Sequence, residues 1–158
     1  MKVTSAALLL AGSLLLGACG AGDDGFVQPS SVRMAELKAI VDAVDWSKAE
    51  EQTLSLDEFK FTPANLAFRR EQPYELTLVN NGATAHSFVA PAFFDAIAVQ
   101  GLIFADGEVS MPILQSIALE AKESKILVFV PIEAGEFKLI CDQPLHETFG
   151  MEGSIRIE

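Results

Sequence analysis

From residue 51 onward the apolar residues fall on every second position in short runs, and turn residues separate the runs. Thr53-Leu54-Ser55-Leu56 alternates in this way, as does Tyr74-Glu75-Leu76-Thr77-Leu78-Val79, which stops at Asn80-Asn81-Gly82. A period of two puts one side of a run in a core and the other in water, which is the pattern of a strand. Glu123–Val130 and Gly135–Cys141 continue the series across the Pro131–Ala134 connection, and Ser154–Ile157 closes it. No helical pattern alternates with these runs, so the expected class is all-β, an antiparallel sandwich or barrel. Residues 91–120 interrupt the rhythm. Pro91–Val99 is expected to form one or two helical turns and the remainder a long loop with Pro112 inside it.

Ahead of the strands the period changes. Val32, Ala35, Leu37, Ile40, Val41 and Val44 recur at intervals of about three and four, which predicts a helix capped by Ser30 or Ser31. Its apolar face, with Trp46, is expected to pack on the main domain. Residues 20–30 are rich in Gly and Asp and hold a Pro, as in a tether. Met1-Lys2 and the apolar run Ala6–Leu16, eleven residues broken only by Gly12 and Ser13, have the length of a secretory signal and not of a membrane span. The run ends in Leu16-Gly17-Ala18-Cys19, which resembles a bacterial lipobox. That resemblance implies cleavage before Cys19 and a diacylglyceryl group on its sulfur. The alternative is an ordinary signal cut near Ala18 or Gly20. The expected divisions are a signal peptide over 1–18, a lipidated tether over 19–30, a helical segment over 31–50 and the main domain over 51–158. The expected place is the periplasmic face of a bacterial membrane. An outer-membrane anchor is favoured, because Gly20 rather than Asp follows the cysteine.

The whole chain has 158 residues, half of them hydrophobic, which suits one domain with a proper core. Its formal charge is −11, and loss of residues 1–18 removes one lysine and no acid. Such a surface repels nucleic acid and anionic lipid and favours basic protein partners. The two cysteines are Cys19 and Cys141. In an oxidising compartment a disulfide would be the first expectation, but a lipidated Cys19 cannot pair. Cys141 is then either buried and inert or reserved for a metal.

The residues that carry chemistry lie around that cysteine. Cys141, His146 and Met151 stand in a C-x4-H-x4-M spacing, and His86 follows the Asn80–Thr84 turn. Copper that alternates between Cu(I) and Cu(II) prefers a thiolate and two imidazoles in a plane with a weak thioether on the axis. A short loop supplying three such ligands, with a fourth from a neighbouring strand, sets that geometry before the metal arrives. The chain contains only two histidines, and both fall in the pattern. Each residue also has a plainer explanation. His86 would be a core histidine at a strand end, Cys141 a small hydrophobe in register with Phe137 and Leu139, and Met151 core filling as for Met34 and Met111.

Residues 51–158 resemble the cupredoxin family of type 1, or blue, copper proteins. The resemblance rests on Phe61-Thr62-Pro63, Asn80-Asn81-Gly82 with His86-Ser87-Phe88, and Gly135–Cys141 leading to His146, Met151, Gly153 and the last strand. The gaps of four on both sides of His146 are similar to those of the rusticyanin and auracyanin type. The resemblance implies a Greek-key sandwich with one copper ion at one end, His146 near the surface and His86 buried. Many relatives carry Asn after the first histidine, bonding across to the cysteine loop, where this chain has Ser87. A hydroxyl there makes a similar bond with fewer contacts. Pro144 removes a backbone donor near the cysteine sulfur, which tends to raise the potential.

The function implied is the carriage of single electrons between redox partners, with a basic cytochrome-type carrier as one partner and the membrane reached through the lipid. Copper oxidases and nitrite reductases contain similar domains but need a second centre built from further histidines, so catalysis is not expected. The alternative is a copper chaperone or delivery module, against which the Cys141 thiolate argues.

Overall fold

The computed structural model describes residues 30–111 and 113–158. The signal, Cys19, nearly all of the tether and Pro112 lie outside the described residues. Helix α1 (Ser31–Ala43) comes first, with Ser30 as its cap, the side chain accepting from the Arg33 N–H at 3.2 Å. A short 3-10 turn (Trp46–Lys48) leads into strands β1 (Glu50–Asp57), β2 (Lys60–Thr62), β3 (Asn65–Phe68), β4 (Tyr74–Asn80) and β5 (His86–Val89). Helix α2 (Pro91–Asp95) precedes β6 (Ile97–Phe104), β7 (Gly107–Ser110), β8 (Ser116–Leu119), β9 (Ser124–Pro131), β10 (Gly135–Ile140) and β11 (Glu152–Ile157).

The strands form two sheets, a six-stranded one ordered β2-β1-β4-β9-β6-β7 and a five-stranded one ordered β3-β11-β10-β5-β8. All pairings are antiparallel except β1 with β4 and β3 with β11. This is the Greek-key β-sandwich expected from the sequence. Alternation does the work on β4, where Tyr74, Leu76, Leu78 and Asn80 are buried and the residues between them are half-buried. The core between the sheets is aromatic. Phe93 of α2 sits among Phe68, Phe129, Phe88 and Phe137, with ring centroids 5.5–6.1 Å away, a spacing at which edge-to-face contacts add to burial.

Residues 91–120 are not mainly a loop. They hold α2, as the sequence suggested, but also β6, β7 and β8, and β6 lies inside the larger sheet between β9 and β7. Two physical features hide β6 from a pattern of alternation. Ile97, Ala98, Val99, Gly101 and Leu102 are all buried, because α1 covers the outer face of the sheet there and the core lies on the other. A bulge between Val99 and Gly101 then shifts the register by one.

Helix α1 is held on that outer face by Leu37 and Val41, which meet Ala98 and Val130 with Ile40, Val44 and Trp46 around them. The Trp46 indole N–H donates to the Val41 carbonyl at 3.1 Å. Val32 and Ala35, counted in the apolar face on spacing, are exposed, and Arg33 and Met34 are half-buried instead. Among the described residues, no helix is long and apolar enough to cross a membrane.

Candidate metal centre

Three adjacent strands of the smaller sheet carry the site. His86 opens β5, Cys141 follows the end of β10, and Met151 immediately precedes β11. The loop from 141 to 151 is closed at its base. The Cys141 N–H donates to the Met151 carbonyl at 3.2 Å, and the Met151 N–H to the His146 carbonyl at 2.9 Å. Inside the loop, His146 N–H donates to the Gln143 carbonyl at 3.0 Å, and Lys138 of β10 pairs with Glu147 at 2.5 Å. That ion pair holds the Lys138 ammonium above its ordinary pKa.

His86, Cys141 and Met151 are fully buried, while His146 is half-buried and reaches the surface. The Nδ1 atoms of the two histidines lie 3.2 Å apart, and the Cys141 Sγ is 4.0 Å from that of His86 and 3.6 Å from that of His146. Two imidazole nitrogens this close repel if both turn lone pairs inward, unless a proton or a cation lies between them. A triangle with these sides has its centre about 2.1 Å from each corner, which suits bonds from one metal ion to imidazole nitrogen and thiolate sulfur. Burial, and next the nearby His146 ring, hold His86 below the ordinary imidazole pKa, which favours the neutral ring that can donate a lone pair.

Ser87 links the two sides of the site. Its N–H and hydroxyl lie 3.4 and 3.5 Å from the Cys141 sulfur. Its hydroxyl also donates to the Asp142 carboxylate at 2.5 Å and accepts from the Asp142 N–H at 3.0 Å. The hydroxyl therefore makes the crossing bond to the cysteine loop that an Asn would make in many relatives. Pro144 lies exposed on the same loop; the hydrogen-bond donor at the sulfur is the Ser87 N–H, since the Ser87 hydroxyl proton goes to Asp142.

Four further residues shape the site: Asn80 and Gly82 entered the sequence reading only as part of the turn before His86, and Glu58 and Phe59 did not enter it. Asn80 is buried, and its Nδ2 donates to the carbonyls of Thr84, Leu119 and Glu120 at 2.8, 3.1 and 2.9 Å, while its Oδ1 accepts from the Gly82 N–H at 2.9 Å. It clamps the loop that delivers His86. A polar residue in the inward phase of β4 was the available signal. Glu58, in the β1–β2 turn, accepts from the Ala83 N–H at 2.6 Å. Phe59 beside it packs edge-on against His146 and Phe149, with centroids 5.1 and 5.3 Å away. Gly82 is buried beside the His86 ring. No spacing along the chain connects a turn near residue 58 with a loop near residue 146.

No family model matches the chain, and no curated protein matches it. Solved structures do. A multi-copper oxidase from Pediococcus acidilactici is similar with a TM-score of 0.57 at 14% identity, over 73% of this chain and 27% of that one. A copper nitrite reductase from Nitrosomonas europaea gives 0.55 at 15% identity, over 70% of this chain and 50% of that one. Auracyanin B gives 0.49 at 17% identity, over 73% of this chain and 93% of that one. Likeness at these identities speaks for the fold, and the donor atoms speak for the metal. The chain has the cupredoxin fold, and His86, Cys141 and His146, gathered at one end of its smaller sheet, with the buried Met151 closing their loop, fit one type 1 copper ion.

Proposed function

We propose that this protein carries single electrons between redox partners outside the cytoplasm and is not itself an enzyme. Bound copper would supply the one-electron couple, and the chain's part is to hold it rigidly and to let partners come close. The observation that carries this reading is the convergence of two Nδ1 atoms and one thiol within 4.0 Å of one another, on a loop closed at its base. A site so constrained changes little between oxidation states, which favours fast transfer. Both histidines of the chain are used in this one site, which supports a carrier over a catalyst with a second copper centre.

The route for the electron is the exposed edge of His146. Phe59, Leu145 and Phe149 surround it at 42, 63 and 61% exposure, and Phe59 and Leu145 hold left-handed backbone at φ 63 and 70°. Side chains other than glycine rarely adopt that conformation, at a cost of about 1 kcal/mol or more each. An apolar collar of this kind lets a partner exclude water next to the metal ligand. Asp142, Glu147 and Glu152 around it would steer a basic partner such as a cytochrome-type carrier. Leu16-Gly17-Ala18-Cys19 supports export and a lipid anchor on the periplasmic side of a membrane.

Copper-loaded protein is expected to be intensely blue or green and to bleach on reduction. In stopped-flow transfer to a basic cytochrome, Leu145→Lys is expected to keep that spectrum and slow the second-order rate tenfold or more, and the wild-type rate should fall as salt rises. An unchanged rate would mean that electrons leave elsewhere. Delivery of the copper ion itself to the partner would favour the chaperone reading.

Met151→Leu is expected to retain copper on its three strong ligands while the reduction potential rises, because the thioether donor is lost. Voltammetry measures the rise. Failure of the variant to bind copper would show that Met151 is more than a weak axial ligand.

A further inference from the structure

Among the described residues, one buried side-chain polar atom lacks a hydrogen-bond partner, and it is the Nε2 of His86. The other ring nitrogen, Nδ1, faces Cys141 and His146. For Nδ1 to offer a lone pair, the ring's proton must sit on Nε2, and a buried N–H needs an acceptor. The backbone beside it is Gly82. A Cβ on that glycine would lie 2.5 Å from His86 Nε2, 2.9 Å from Glu58 Oε1 and 3.1 Å from Asn80 Oδ1. Three polar atoms therefore converge on the side of Gly82 where any other residue would place carbon.

We propose that Glu58 is a positioning residue for His86, its carboxylate receiving the Nε2–H across the bare face of Gly82, either directly or through one bound water. This rests on the copper reading above and extends it to a residue of the β1–β2 turn. Asn80 Oδ1 is already committed to the Gly82 N–H and is neutral. Glu58 is charged, and it is oriented by the Ala83 N–H at 2.6 Å, so its bond to an imidazole N–H is charge-assisted. The Ala83 N–H foremost, and next the backbone N–H of Glu58 itself, hold the Glu58 carboxyl below its ordinary pKa. A carboxylate on the far nitrogen fixes the tautomer and the ring's direction, and it raises the donor strength of Nδ1. Gly82 is required for this geometry, not for its backbone freedom.

Glu58→Gln tests the assignment, because the amide oxygen can still accept from Ala83 and only the charge is lost. Two readouts are needed. In copper-free protein, the ¹⁵N shifts of the His86 ring should report Nε2–H in the wild type and a mixture of tautomers in Glu58→Ala. In copper-loaded protein, Glu58→Gln should weaken Cu(II) binding about tenfold with little change for Cu(I). For a one-electron couple that is a rise in potential of about 59 mV. Asp57→Asn removes a charge from the same hairpin and serves as the control, with a smaller shift expected. Equal shifts in the two variants, or Glu58 variants with wild-type tautomer and potential, would overturn the proposal. So would a loss of thermal stability without either change, since Glu58 would then only tie the hairpin to the 80–84 loop. If wild-type protein takes no coloured copper, the copper reading fails, while the tautomer measurement still decides the Glu58 contact.

Discussion

Cys141→Ser is expected to abolish the intense visible band of the copper-loaded protein while leaving the sandwich folded. The band requires charge transfer from a thiolate, and Cys141 is the one thiol among the described residues. The fold should survive because the hydroxyl that replaces the sulfur finds partners already in place. The Ser87 N–H and hydroxyl lie 3.4 and 3.5 Å from the sulfur position, so a buried serine is answered by both. The stability cost should be about 1–2 kcal/mol, the ordinary difference between a well-packed thiol and a slightly misplaced hydroxyl. Absorbance and electron paramagnetic resonance read the site, and near-ultraviolet circular dichroism reads the packing. Colour persisting in the variant would remove Cys141 from the ligand set.

The second large effect is expected at a residue that touches no metal. Asn80→Ala removes the amide whose two protons are shared among the carbonyls of Thr84, Leu119 and Glu120, and the oxygen that accepts from the Gly82 N–H. A buried carbonyl left without a donor costs about 1–3 kcal/mol, and of the three the Glu120 carbonyl keeps the Glu123 N–H at 3.0 Å. Partial access of water to Thr84 and Glu120 reduces the sum, so a loss of about 3 kcal/mol is expected. That corresponds to a fall of about 10 °C in Tm for a domain of this size. Asn80→Asp should be no better, because it keeps the acceptor for Gly82 but has nothing to donate to the three carbonyls. Differential scanning calorimetry of both variants checks this. A variant within 2 °C of wild type, about 0.5 kcal/mol, would mean that the loop before His86 is held by other contacts.

The contrast between these two residues shows what was legible in the sequence. Cys141, His86 and His146 could be picked out because such side chains are scarce here and each has few other uses. The strands with clean alternation, such as β4, were equally plain, since one face is buried and the other is not. Strand β6 was not legible, because α1 and the core bury both of its faces and a bulge breaks its period. Glu58 and Phe59 were not legible either. They reach the site only because a two-residue turn, held by the Asp57–Lys60 pair, folds back beside the 80–84 and 141–151 loops. An apolar residue on a loop can turn inward or outward, and the structure exposes both Leu145 and Phe149.

The pairing of β3 with β11 carries a consequence for the order of events in time. It joins Asn65 to Ser154 in parallel, and β11 also lies against β10. The sheet that bears the ligands is thus completed by the last strand of the chain, through contacts that span most of its length. Closing so long a loop is entropically slow, and such long-range pairing tends to come late in folding. Until β11 is in place the 141–151 loop is open at its base, and the thiol and the two imidazoles do not present a joint site to copper. Metal capture is therefore expected to follow the docking of β11, when the folded site is able to shield a redox-active ion.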